Sequence, residues 1–364
     1  MKRIVTLLLA AGLVLGAAAG SQAADIKAKG NWTFTWQLGD NGLFKHNDGD
    51  KFTAKQRLRT QIDVIASESL KGVMFFEIGH QNWGKAAEGA ALGTDGKEIK
   101  VRYSYVDWVI PQTDAKVRMG LQNFSLPGFT SNSPILGGGS ADGAGITISG
   151  QFTENVGASL FWLRAENDNA KNYGDYDEHS PSDAMDFVGL TVPLTFDGVK
   201  VTPWAMYGVQ GRNAHNFDDY RTTNFVDGAP AVTLSPYLNA MGGGGGLNVT
   251  DYGRTSKAYG GMFWAGLPVK IKTFDPWNIE FDVNYGWVES MGRFDVKTRN
   301  DDSDIRRGSS KREGWLAKAL VEYKMDWGTP GIFGWYGSGD DGSVKNGSER
   351  MPSVCPYVWM TSFM

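Results

Sequence analysis

The chain has 364 residues, with 36 Lys+Arg against 40 Asp+Glu and a formal net charge of −4, so it lacks the basic surplus of a general nucleic-acid binder. Its single cysteine, Cys355, excludes an internal disulfide framework and a cysteine-based zinc site. With 48 glycines, 12% aromatics and a mean hydropathy of −0.32, it reads as short strands and turns rather than as a helix bundle.

Met1 to Ala24 read as a secretory signal. Lys2 and Arg3 form the charged start, Ile4 to Ala19 the apolar run, and Ser21-Gln22-Ala23 the small-x-small cleavage site. The apolar run falls short of the ~20 residues that span a bilayer as a helix. No cysteine follows the cleavage region, so a lipid anchor is not expected. Setting Lys2 and Arg3 aside takes the net charge from −4 to −6. No later segment reads as a transmembrane helix. An exported chain of this kind enters a membrane only as a closed β-barrel, because lipid cannot satisfy open backbone groups.

In chain order, Asp25 to Leu38 is the first strand, with Trp32, Phe34, Trp36 and Leu38 on one face. Lys51 to Ala66 follows with period two: Phe52, Ala54, Leu58, Ile62 and Val64 on one face, and Thr53, Lys55, Arg57, Arg59, Gln61 and Asp63 on the other. That is long for a soluble strand, usually about 5–6 residues. After a short turn comes Gly72 to Trp83, with Phe75, Glu77 and Gly79 inward. Glu98 to Ile110 sets Lys100, Arg102 and Ser104 against Val101, Tyr103 and Tyr105, and a bulge or buried contact is expected near Val106 to Ile110. Ala115 to Phe124 carries Lys116 and Arg118, and Ser125 to Gly145 is a Gly/Ser/Pro/Asn-rich loop with one acid, Asp142. The later strands are Gly145 to Phe152, Val156 to Glu166, Met185 to Phe196, Val199 to Gln210, Ser256 to Lys272, Asn278 to Glu289, Arg312 to Trp327 and Ile332 to Ser338. Their connections alternate between short turns and long loops. A transmembrane barrel has that asymmetry and a soluble sandwich has no reason to keep it. Tryptophans from Trp32 to Trp335 recur in or at the ends of strands, as interface girdles would place them. The fold class expected is therefore all-β, a transmembrane antiparallel β-barrel.

A barrel of this size holds water, so its inward face carries the chemistry. Lys55, Arg57 and Arg59, then Lys100 and Arg102, then Lys116 and Arg118 fall on one face and would make a pore-lining basic wall, with Glu77, Asp107 and Asp142 as facing acids. The competing explanation is an ordinary solvated surface. Asp301-Asp302-Ser303-Asp304 lacks the spacing of a calcium loop, and Gly242 to Gly246 lacks the ending of a phosphate loop. His46, His80, His179 and His215 show no metal spacing, and no hydrolase motif occurs. No enzyme activity, metal or cofactor is expected.

The phrases Tyr105-Val106-Asp107-Trp108, Val117-Arg118-Met119-Gly120-Leu121-Gln122 and Ser125-Leu126-Pro127-Gly128 resemble the outer-membrane homotrimeric porins of sulfate-reducing deltaproteobacteria such as Desulfovibrio, within the general porins. The resemblance runs from the signal to about Pro352, as a whole-pattern match without a short diagnostic motif. It implies a 16-stranded barrel, a homotrimer in the outer membrane among lipid and lipopolysaccharide, and passive diffusion of small hydrophilic solutes and ions. It also implies that residues 125–145 fold inward as a constriction loop opposite the basic wall. About thirteen strands can be counted, whereas single-chain bacterial barrels have an even number. Either Tyr357 to Met364 is a lone fourteenth strand or the 25–364 barrel domain lacks its closing strands, which is the expectation preferred. A non-conducting barrel serving as adhesin, receptor or structural anchor is the alternative function, recognisable by a lumen plugged with apolar side chains.

Overall fold

The computed structural model describes residues 24–39, 51–94, 96, 99–129, 133–136, 141–167, 184–211, 225–226, 229–230, 249–251, 257–291, 293–297, 305–341, 343 and 345–354. The signal segment, Gly242 to Gly246, Asp301 to Asp304, Cys355 and Tyr357 to Met364 lie outside them, apart from Ala24. The chain forms two compact units, Met1–Gln122 and Asn123–Met364. Among the described residues no helix is long and apolar enough to cross a membrane, which says nothing of strands.

The first unit holds β1 (Asp25–Gly39), β2 (Lys51–Ser67), β3 (Leu70–Asn82), β4 (Lys100–Val109) and most of β5 (Lys116–Phe124), each paired antiparallel with the next. β1 and β2 keep one register from Asp25↔Ile65 to Gly39↔Lys51. Their period-two pattern puts Trp32, Phe34, Trp36 and Leu38 on a face that stays 69, 47, 60 and 74% exposed, an apolar surface larger than isolated exposed side chains would make. Phe34, Trp36 and Trp83 group there, with ring centroids 6.0–6.5 Å apart. The turn of residues 110–115 is closed by the Ile110 N–H donating to the Ala115 carbonyl at 2.8 Å.

Of the bulge or buried contact expected near Val106 to Ile110, the buried contact is there, at Asp107, 7% exposed, and the bulge lies elsewhere. Val106, Asp107 and Trp108 hold a regular register against Met119, Arg118 and Val117. The slip lies at Arg102: Phe75 faces Tyr103 but Phe76 faces Val101, so Arg102 is the extra residue of a β-bulge. Since a one-residue slip exchanges the faces of a strand, Tyr103, Tyr105 and Asp107 fall on the side of Lys100, and Ser104 goes to the other. Straight alternation placed them the opposite way. A second slip, between Gln56↔Gln81 and Leu58↔Ile78, sits beside Arg57.

The second unit has β6 (Ala141–Gln151), β7 (Gly157–Glu166), β8 (Met185–Thr191), β9 (Leu194–Phe196), β10 (Val199–Val201) and β11 (Trp204–Gly211). Then come β12 (Phe225–Val226), β13 (Ala229–Pro230), β14 (Val249–Asp251), β15 (Tyr259–Ile271), β16 (Trp277–Val288), β17 (Arg293–Lys297), β18 (Ile305–Ser309), β19 (Arg312–Tyr323) and β20 (Gly331–Gly337). Its main sheet runs β6-β7-β8-β11-β15-β16-β19-β20. The hairpin expected about Asp197-Gly198 is present, but each arm breaks at a proline, β8/β9 at Pro193 and β10/β11 at Pro203. A proline has no N–H for the ladder. The Thr202 N–H keeps a bond to the neighbouring strand, donating to the Pro268 carbonyl at 3.0 Å. The long connections read as plain loops carry strands of their own, β12-β13 and β14-β17-β18.

Counting the β8/β9 and β10/β11 arms as one strand each, the main sheet has among the described residues the thirteen strands expected, five from β1 to β5 and eight from β6-β7-β8-β11-β15-β16-β19-β20. The all-β antiparallel class expected is the one observed, with the exposed apolar outer face of a transmembrane barrel. Its inner side in the second unit is different from what alternation suggested. Phe161, Leu163, Met185, Phe187, Trp204, Met206, Met262 and Trp264 are buried there in one cluster, while Leu160, Trp162, Val188, Leu190, Tyr207 and Leu267 alternate with them on the exposed face. These strands are apolar on both sides rather than apolar out and polar in.

Candidate functional site: an ion-pair array and an inward loop

On the first unit, β2, β3, β4 and β5 bring seven sequence-predicted cations and two acids to one face. Glu77 of β3 stands directly opposite Arg59 of β2 and Lys100 of β4. The Arg59 Nε donates to Glu77 Oε2 at 2.6 Å, and the Arg102 Nη1 donates to the same oxygen at 3.3 Å. The bulge brings Arg102 to this oxygen from two residues beyond Lys100 on β4. Asp107 and Arg118 are cross-strand partners joined by a two-pronged bond, Nε to Oδ1 at 2.6 Å and Nη2 to Oδ2 at 2.8 Å. The planar fork of arginine matches a carboxylate edge in this way, and a lysine could not reproduce it. Lys55 and Arg57 lie further along β2 and Lys116 at the start of β5.

The acids therefore do not face a basic wall from across a gap. They sit within it, Glu77 between two arginines and Asp107 against a third, because β3 intervenes between β2 and β4. Aromatics fill the spaces between the pairs. Phe75 and Tyr103 stack with centroids 5.1 Å apart at 21°, and the Arg118 guanidinium lies 4.1 Å from the centre of the Tyr105 ring. Gly120 makes this approach possible: its φ is +125°, and a Cβ there would come within 2.3 Å of the Ser104 carbonyl oxygen. The side chains of Arg59, Arg102 and Arg118 remain 33, 29 and 27% exposed. Their carboxylates are more enclosed, Glu77 at 16% and Asp107 at 9%, so the pairs fix orientation and local charge.

In the second unit, the loop after β5 lies against the buried face. Leu126, Ile135 and Leu136 are 0–1% exposed within the apolar cluster, and the Ser133 N–H donates to the Leu126 carbonyl at 3.3 Å. The loop ends sooner than expected, because β6 starts at Ala141. Asp142 is thus a strand residue, accepting from the Asn123 Nδ2 at 3.1 Å, and it is not a loop acid.

Two features were missed from the sequence. One is the segment from Ser348 to Val354, which lies along β19 and β16. The Trp264 Nε1 donates to the Pro352 carbonyl at 3.1 Å, and the Val354 N–H to the Ile135 carbonyl at 2.8 Å. Gly286 and Gly314 make the room: a Cβ on Gly314 would be 2.4 Å from the Met351 nitrogen, and one on Gly286 2.9 Å from Pro352 Cγ. The other is a polar level nearer the short turns. Lys270 pairs with Glu280, Asn278 Nδ2 donates to Glu322 at 2.7 Å, and Lys318 Nζ stands 3.1 Å from Asp282 Oδ2. That last contact is an ion pair without hydrogen-bond geometry, since neither Asp282 oxygen has a hydrogen-bond partner among the described residues. The signal was available, because Asn278, Glu280, Asp282 and Asn284 alternate with Ile279, Phe281 and Val283. At the loop end of the exposed face, Glu289 is held below the usual carboxylate range by its bond from Lys257 and by the Gly261 N–H. Asp340, Asp341 and Glu349 cluster with Asn346, whose Nδ2 donates to Asp341 at 3.1 Å and to Glu349 at 2.9 Å.

No family model matches the chain, and no curated protein does either. Among solved structures it is similar to Salmonella typhi OmpF in complex with daunomycin, at 14% identity over 90% of this chain and 83% of that one, with a TM-score of 0.43. It is also similar to the outer-membrane channel DcaP of Acinetobacter baumannii, at 11% identity over 87 and 80% of the two chains and a TM-score of 0.37. The trimer form of Vibrio cholerae OmpT matches at 10% identity over 91 and 96%, with a TM-score of 0.33. At such identities and scores these likenesses carry no weight for function.

Proposed function

We propose that this protein is an outer-membrane channel of the porin type, through which small hydrophilic solutes and ions diffuse. The observation that carries the reading is the two-faced first unit. Long strands expose a continuous apolar face on one side, suited to lipid. On the other, the Arg59–Glu77–Arg102 and Asp107–Arg118 pairs hold fixed charge beside water, the arrangement that sorts solutes by charge in a pore. Lys55, Arg57, Lys100 and Lys116 lie on the same strands. A constriction by the loop after Ser125 belongs to this reading through the sequence resemblance. Assembly as a homotrimer among lipid and lipopolysaccharide, and kinship with the deltaproteobacterial porins, belong to this reading through the sequence resemblance. The test is conductance of the purified protein in planar bilayers: ohmic single-channel steps are expected, and a folded, membrane-inserted protein without steps rules the channel out.

The second reading, a non-conducting barrel, is favoured by one observation. The buried face of the second unit is packed with apolar side chains together with Leu126, Ile135, Leu136 and residues 348–354, with Met351 fully buried and Val354 nearly so. The two readings separate on the same bilayer measurement.

A further inference from the structure

We infer that the segment Ser348–Val354 is a gate: a strap seated on the inner face of β15, β16 and β19 that lifts as a unit and widens the path. That role rests on the reading of the barrel as a channel. The strap is laid over the sheet rather than woven into it. At its start Ser348 meets Arg312 in an isolated parallel bridge, whereas β19 pairs antiparallel with β16 and β20. Further on, a Cβ on Gly314 would come within 2.4 Å of the Met351 nitrogen, and one on Gly286 within 2.9 Å of Pro352 Cγ. A Cβ stands out of the pleat, so Met351 and Pro352 cross above these two strands, with no side chain between strap and floor at either glycine. The Trp264 Nε1–H grips the Pro352 carbonyl at 3.1 Å, and the Val354 N–H reaches the Ile135 carbonyl at 2.8 Å. Met351 and Val354 add apolar anchors, 0 and 4% exposed.

The floor continues into a polar stripe. On β16 the inward face reads Asn278, Glu280, Asp282, Asn284 and then Gly286 under the strap, where a face built only as core would be apolar. In the row next to Gly286, Trp204 and Asn284 flank Gly266. A Cβ on Gly266 would be 2.3 Å from Trp204 Nε1 and 2.5 Å from Asn284 Oδ1. Among the described residues neither atom has a hydrogen-bond partner, nor has the strap's own Ser353 hydroxyl, and all three are buried. Lifting the strap exposes Met351 and Val354, which is unfavourable. It also opens this row and Ser353 to water, which satisfies buried polar groups and offsets that cost. The opposition brings the seated and lifted positions near in free energy, as a gate requires.

The experiment uses the full chain with Ser353→Cys in a Cys355→Ser background, folded in detergent micelles and labelled with a sulfonated, water-soluble maleimide. Ser353 is 1% exposed, so labelling reports the lifted position. Trp264→Phe removes the grip on Pro352 and is expected to speed labelling about tenfold, the population shift that one lost hydrogen bond gives. Gly314→Ala acts from the floor and is expected to do the same, should the phenylalanine variant not reach the heat-modifiable, folded form. Leu163→Cys in the same background, buried on β7 away from the strap, is expected to keep its rate in both variants. In planar bilayers the two variants are expected to give larger single-channel steps than the parent. The gate is overturned if neither variant changes the Ser353→Cys rate, if Leu163→Cys accelerates equally, or if labelling speeds up while the steps stay the same size. Faster labelling with no steps in any variant upholds the lifting strap and removes the channel reading, whereas steps with unmoved labelling keep the channel and remove the strap.

Discussion

Glu77 accepts from Arg59 and Arg102 at once, so Glu77→Gln leaves both guanidiniums without their carboxylate. The expected outcome is a reversal potential shifted further toward anions under a salt gradient. Arg118→Gln, which removes one positive charge and the two-pronged partner of Asp107, is expected to shift it toward cations. Equal reversal potentials in the two variants would refute the role of these pairs in selectivity. Gly120 is the position where backbone geometry decides. Gly120→Ala adds a Cβ at φ +125° against the Ser104 oxygen and is expected to destabilise the protein by about 1–3 kcal/mol, read as a lower midpoint in heat-dependent gel mobility. The residue types of this site were legible in the sequence, since period two in β2 assigns Lys55, Arg57 and Arg59 to one face without any structure. That Glu77 and Asp107 lie among the cations was not, because it depends on which strands are neighbours and on a one-residue bulge at Arg102 that straight alternation cannot reveal.

At the scale of elements, the segment Ser348–Val354 covers β16 and β19 through two glycines, and what lies near it is imperfectly satisfied. Among the described residues, Trp204 Nε1, both amide atoms of Asn284 and the Ser353 hydroxyl are buried without a hydrogen-bond partner. The covering segment is held by apolar contact and by the bonds at Ser348, Pro352 and Val354. Gly314→Val places a side chain where the Met351 backbone lies and is expected to displace the segment. The measurable results are faster hydrogen exchange at the Val354 amide and larger conductance steps. An unchanged exchange rate would show the segment to be fixed. Strand positions were readable from alternation to within a few residues, as in β2, β7 and β16. The broken arms at Pro193 and Pro203 could have been foreseen from the prolines alone.

At the scale of the whole molecule, an exposed apolar face in each unit predicts that the protein partitions into detergent and resists extraction by salt or alkali. Recovery of the folded protein in a detergent-free soluble fraction would contradict it. The fully buried Trp264, Met262 and Phe187 predict that the second unit contributes little water-filled cross-section. A conductance per protomer well below that of an open, wholly polar lumen would agree with this.

The sequence by itself determined the all-β class, the alternation of short turns and long loops, the thirteen strands and the residues eligible for a charged face, because side-chain direction in a strand follows position parity. Only the tertiary structure decided that the acids neutralise the cations from within the same face. It also decided that Asp142 belongs to a strand, and that one buried face is filled by a loop and a late segment. Those outcomes depend on strand neighbours, bulges and the docking of distant segments, which local periodicity does not encode.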